Sequence, residues 1–156
     1  MSSIIGNHDY PGYEAVGDVF NMSAATSFAA RDAIIVTTSG QMGASDEESS
    51  SNTSKTASNE CQGDHANQFE IALKKIERSL AAAQPKRSPR QLWEGVFAVR
   101  SFHVGEVPDE VQLEIAAVAR RYWGKNKPAW VAIGVASLFS PVALVEIQVQ
   151  AAYSKD

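Results

Sequence analysis

Four side chains in this sequence have a type and setting that could do chemistry. They are Glu146 in VALVEIQVQA (142–151), Trp130 in KPAWVAIGVA (127–136), and Arg100 and His103 in VFAVRSFHV (96–104). Glu146 stands midway along an otherwise apolar strand, where a carboxylate is costly to bury unless paired or protonated. It reads either as a general acid, base or water-positioning group, or as a structural partner between subunits. His103 is of the type that titrates near neutrality, so it could shuttle protons or simply face solvent at a strand edge. Arg100 could hold an anion bidentately or join a surface or interface ion pair. Trp130, directly after Pro128-Ala129, offers an aromatic face and one indole N–H.

The bulk properties limit what those residues can serve. A formal net charge of −4 gives no electrostatic case for nucleic acid, because phosphate binding needs clustered Lys and Arg. The short basic groups Lys86/Arg87/Arg90 and Arg120/Arg121/Lys125/Lys127 read as solvated helix ends. A single cysteine, Cys61, rules out an intramolecular disulfide and a cysteine-rich metal site, and fits a reducing compartment. Neither a signal peptide nor a membrane-length apolar run is present, so a soluble, cytoplasmic protein without membrane partners is expected. With 156 residues, 44% of them hydrophobic, one domain with a real core is expected.

The elements that must position these groups follow from periodicity. Residues 1–19, rich in Gly, Pro, Tyr and acids, show no period and read as an N-terminal arm, and Asp18 to Phe28 as a ragged first strand. Ala33–Thr38 is a short β-branched strand stopping at Ser39-Gly40-Gln41. Residues 44–60, with six serines and no large apolar side chain, read as a disordered surface insertion. From Asp64 to Ala83, Phe69, Ala72, Leu73, Ile76 and Leu80 recur at helical steps. Gln91–Val104 reads as a strand, with Val96, Ala98 and Arg100 on one face and Phe97, Val99 and Ser101 on the other. Pro108-Asp109 opens a second helix whose stripe is Val111, Ile115, Val118, Ala119 and Tyr122. Two strands close the chain, Trp130–Ser137, its continuous apolar character implying that both faces are covered, and Ala143–Ala152. In the last, Leu144, Glu146, Gln148 and Gln150 share one face and Val145, Ile147, Val149 and Ala151 the other. An α/β two-layer (α+β) domain with both helices on one sheet face satisfies this order. The half-polar row then needs a cover, most simply another subunit.

The segments Ile35–Gln41, the helix carrying Gln68 and Ala72–Ile76, VFAVRSFHV, Pro128–Val135 and LVEIQVQA stand in the order found in the Rid (YjgF/YER057c/UK114) family, which the chain resembles over roughly 20–152. The resemblance implies a chorismate-mutase-like, YjgF-like fold: a mixed six-stranded sheet with two helices on one face. It also implies a homotrimer whose sheets form a central barrel, with small-molecule pockets between subunits. Well-known members hydrolyse enamine or imine intermediates to 2-oxo acids and ammonia without metal or cofactor, and older ones are called endoribonucleases.

Carried across residue by residue, Gly40 matches the glycine that lines the pocket and Glu146 the acid that positions or activates water. Trp130 departs from the pattern: it replaces the arginine that pairs with a substrate carboxylate, and an indole cannot do that. Met22 falls near the pocket tyrosine, and Ala132 takes the place of a frequent cysteine. The segment around Trp130 resembles a fungal-type subgroup. A pocket with Trp130, Ile133 and Phe102 or Phe139 in its wall suits a neutral or aromatic ligand; alternatively Trp130 fills the old cavity as core. The expected function is accordingly imine or enamine hydrolysis, or a repurposed proton transfer, isomerisation or cyclisation in secondary metabolism. A non-catalytic binding trimer and a ribonuclease are the alternatives.

Overall fold

A computed structural model describes residues 4–44 and 65–155. Except for Ala44, the serine-rich stretch lies outside the described residues, as does Cys61. Seven strands and four helices are described: β1 (Gly6–His8), α1 (Glu14–Phe20), β2 (Ala25–Ser27), β3 (Ala33–Thr37), β4 (Gln41–Met42), α2 (His65–Ala83), α3 (Pro89–Glu94), β5 (Val96–Val104), α4 (Asp109–Trp123), β6 (Ala129–Val135) and β7 (Val145–Ser154). The main sheet has five strands in the order β3-β7-β5-β6, with β4 also paired to β7. β5 and β6 are parallel, joined through α4, while β7 runs antiparallel to β3, β4 and β5. The mixed two-layer architecture is as expected from the pattern.

Alternation along β7 sorts the two sides of the sheet. Val145, Ile147, Val149 and Ala151 are at most 1% exposed and pack with Phe69, Leu73 and Ile76 of α2 and Ile115, Val118 and Trp123 of α4 in one core. Both long helices thus cover one face, here called the helix side. Glu146, Gln148 and Gln150 alternate to the open side, where Ile35, Arg100 and Val131 are exposed. Leu144 leaves that polar row: it precedes β7 and is buried in the core. The coverage expected for β6 is likewise only one-sided, because Val131 is 53% exposed.

Three further expectations are corrected. Among the described residues the sheet has five strands rather than six, because 18–28 forms the end of α1 and then β2, which pairs with β1 in a separate two-stranded ribbon. The stretch read as an irregular arm contains β1 and α1; α1 ends at Asn21, which adopts a left-handed conformation (φ 54°). The strand expected from Gln91 begins at Val96. Ser88 caps α3 by accepting from the Gln91 N–H, and the Gln91 side chain accepts from the Ser88 N–H, with Pro89 in the first turn.

α2 meets the sheet closely at Gly43. A Cβ there would fall on the Gln68 main chain, while Gln68 receives the Leu144 N–H and donates to Val142 O. Gly43→Ala is therefore expected to cost about 3 kcal/mol in urea unfolding; a loss below about 0.5 kcal/mol would show that α2 can move aside. Among the described residues, no helix is long and apolar enough to cross a membrane.

Candidate functional site

The register divides the candidate residues between the two sides of the sheet. Trp130 pairs with Val99, which pairs with Val149, so Trp130 lies on the helix side with Ser101, Ala132 and His103. Glu146 pairs with Phe102, which pairs with Ile133, so these lie on the open side with Arg100. A single chain therefore does not bring Trp130 and Glu146 together.

On the helix side, a cavity of about 360 Å³ is lined by residues including Phe20, Met22, His103, Gln112, Trp130 and Ala132. Ile133 also borders it, from the edge strand. Among the described residues, its lining carries no Lys, Arg, Asp or Glu. The Trp130 indole meets the rings of Trp123 edge-on at 5.0 Å, Phe69 at 5.8 Å and Phe20 at 6.3 Å. Such aromatic packing is worth about 0.5–1.5 kcal/mol per pair beyond area burial. Trp130 Nε1–H donates to Ser101 Oγ at 2.9 Å, and the same oxygen lies 2.8 Å from His103 Nε2. The indole N–H is thus used internally, and Trp130 presents aromatic surface.

His103 is 5% exposed. Burial, seconded by the nearby His65, lowers its pKa to about 4, so the imidazole is neutral at ordinary pH. His65 stacks 6.1 Å from it and donates from Nε2 to Val104 O. The Nδ1 of His103 is buried and has no hydrogen-bond partner among the described residues.

On the open side, Glu146 is half-buried beside the link between β3 and β4, and a Cβ on Gly40 would strike its carboxylate. Gly40 is therefore tied to the acid by space, which bears on why glycine stands there. No hydrogen bond to the Glu146 carboxylate is found among the described residues, although its backbone is paired in the sheet with Met42 and Phe102. Arg100 is exposed and donates to Gln148 Oε1 at 3.3 Å, and Gln148 in turn donates to Thr38 O. The geometry thus separates Arg100 from the Trp130 cavity. Phe139 is fully exposed and lines no part of the cavity.

Ser101, Gln112 and Phe20 were not singled out from sequence. Ser101 was already placed with Val99 by alternation, and continuing two residues puts His103 beside it. The alternation itself slips at a bulge between Val96 and Ala98, so that Val96 and Val99 are both buried.

The chain matches the family described as endoribonuclease L-PSP over residues 21–153. Among solved structures it is similar to the Rid-family protein YyfB from Yersinia pestis, at 20% identity and a TM-score of 0.68, covering 96% of this chain and 99% of that one. It is also similar to YEO7 of yeast, at 20% identity and a TM-score of 0.53, with 83% and 85% covered. A protein called YJGH matches at 22% identity and a TM-score of 0.52, with 100% and 98% covered. At these identities the likeness is one of fold. No match to a curated protein was found.

Proposed function

Since the chain belongs to the endoribonuclease L-PSP family, the YjgF/YER057c/UK114 or Rid family, we propose that it is a homotrimeric, cytoplasmic small-molecule enzyme working between subunits on a reactive intermediate. The reaction is hydrolysis of an enamine or imine, or a proton transfer, isomerisation or cyclisation that uses the same groups. The functional unit is one domain, 20–156, carrying the serine-rich insertion.

One observation carries this reading. The Trp130 cavity and the Glu146–Gly40 pair lie on opposite sides of one sheet, so a pocket holding both takes one wall from each of two copies. Trp130, Met22, Ala132 and Ile133 supply the apolar wall, and Gly40 and Phe102 flank Glu146 on the neighbouring copy. Glu146 takes or returns the proton, or orients the attacking water. Arg100 is held on Gln148 at the open face and can meet an anionic group there. The chemistry asks for no metal or organic cofactor.

Purified protein should accelerate ammonia release from 2-aminoacrylate generated in situ, and Glu146→Gln should reduce that rate by about 100-fold or more. A flat response at high protein concentration would remove the hydrolytic reading. A mass in solution of one chain, rather than three, would remove the shared pocket.

A second reading, a non-catalytic ligand-binding trimer, is favoured by the packing of Trp130 onto three other rings. Quenching of Trp fluorescence by a metabolite extract without product formation would support it. Ribonuclease activity, which the family's name suggests, is opposed by the net charge of −4.

A further inference from the structure

The two walls that meet in the shared pocket differ in charge. Among the described residues, the Trp130 wall carries no Lys, Arg, Asp or Glu, whereas the facing wall carries both Arg100 and Glu146. In the antiparallel pairing of β5 with β7, Arg100 lies opposite Gln148 and Phe102 opposite Glu146, which makes Arg100 and Glu146 diagonal neighbours on one face. No ion pair joins them among the described residues. Arg100 is exposed, and its only hydrogen bond among those residues, to Gln148 Oε1 at 3.3 Å, leaves most of its donors unspent. Gln148 is fixed from behind: its amide donates to Thr38 O at 3.1 Å, and Thr38 is buried and accepts from the Val149 N–H. The guanidinium is thus steadied at one end and open at the other.

When a second copy covers this face, water is withdrawn from both charges, and a charge left unpaired in such a place is costly. The described residues of the covering wall bring no counterion, so the complement has to come from the ligand: an anion for Arg100 and a proton-bearing nitrogen for Glu146. We propose that Arg100 is the specificity-determining cation of the shared pocket, holding the substrate carboxylate from the same wall as Glu146. The site then takes a small 2-imino or 2-enamino acid in preference to a neutral imine. The inference rests on the shared pocket proposed above, and it supplies from the opposite wall the anchor that Trp130 cannot provide. Diagonal neighbours of an antiparallel pair stand about 7–8 Å apart. A carboxylate and the nitrogen on the adjoining carbon, with one hydrogen bond at each end, fill such a span. A guanidinium fork meets a carboxylate with two parallel bonds, and Phe102, next to both charges on this face, gives the ligand an apolar floor. The Trp130 wall alone would suit a neutral ligand; with Arg100 opposite, it packs on the carbon end of a charged one.

The test titrates pyruvate and its neutral counterpart pyruvamide against the full-length protein, followed by the Arg100 side-chain Nε–H signal and the backbone amides of 98–104 and 146–150. Pyruvate is expected to shift the Arg100 Nε–H. Arg100→Gln should weaken pyruvate about tenfold or more while leaving pyruvamide unchanged, and Arg100→Lys, which keeps the charge without the fork, should recover part of the loss. If Arg100→Gln does not assemble, the wild-type Nε–H signal decides by itself. An Arg100 Nε–H that pyruvate leaves in place, unchanged pyruvate affinity in Arg100→Gln, or equal losses for pyruvate and pyruvamide would each overturn the inference. Ammonia release from 2-aminoacrylate that still depends on Glu146 would then leave the shared pocket standing without Arg100. If that release is absent as well, the hydrolytic reading falls together with the inference.

Discussion

Trp130→Arg, the substitution that restores the side chain usual in imine-hydrolysing relatives, is expected to destabilise the protein by about 3–5 kcal/mol without creating carboxylate affinity. The indole is partly buried, with one side packed on Phe69, Trp123 and Phe20, and its N–H is taken by a fully buried serine. A guanidinium there would lose that packing and lie against Phe69 and Trp123, which are 0% and 1% exposed, with no acid among the described residues that line the adjoining cavity. Removing one partner from a buried network and leaving a charge without a counterion costs more than a simple cavity. Against a total stability of about 5–15 kcal/mol, the loss is large enough to read as a shift of the urea midpoint or as failure to accumulate. Trp130→Phe separates the contributions, keeping most of the packing and losing the bond to Ser101, and is expected to cost about 1–2 kcal/mol. If Trp130→Arg is as stable as the wild type and binds benzoate, the guanidinium reaches an anion site and Trp130 is merely its present occupant.

The same contacts mark where sequence reasoning held and where it stopped. β7 was legible because it lies between strands on both sides and its two faces meet opposite environments, so Val145, Ile147, Val149 and Ala151 alternate cleanly with Glu146, Gln148 and Gln150. α2 was legible because its stripe of Phe69, Ala72, Leu73, Ile76 and Leu80 is buried by one layer. α3 was hidden because Trp93 and Phe97 favour strands, although Ser88-Pro89-Arg90-Gln91 carried a capping box that could have revealed it. α1 was hidden for a different reason: its seven residues include Gly17, and tertiary contacts hold it in place. Arg120 donates to the carbonyls of Asp18 and Val19, and Lys127 pairs with Asp18. The candidate site was half legible. Residue types pointed to Trp130, Glu146 and His103, but which of them share a face depends on strand order, which a two-residue period does not contain.

Asn126→Ala is expected to lower stability by about 2–4 kcal/mol and to loosen the cavity wall as well. Asn126 is 7% exposed, and its amide donates to Trp93 O at 3.0 Å and Val96 O at 2.6 Å, where α3 gives way to β5 beside the bulge. Its own carbonyl receives the side chain of Asn21, the left-handed residue that ends α1. The neighbouring Lys127 carbonyl accepts from Ser23, and Pro128 O accepts from the Ser23 N–H. One short stretch, 126–128, therefore fastens three things: the end of α3, the end of α1 and the start of β6. Phe20 and Met22 reach the cavity from this joint, and Trp130 begins two residues beyond it. Losing two donors to buried carbonyls should thus raise amide exchange in 14–27 as well as lowering the unfolding midpoint. Asn126→Asp distinguishes hydrogen bonding from shape, since a carboxylate keeps the size but cannot donate to either carbonyl. It should be at least as destabilising as alanine. A loss below about 0.5 kcal/mol for alanine, or an aspartate variant of wild-type stability, would show that the joint is held by backbone contacts alone and that the cavity wall does not depend on this side chain.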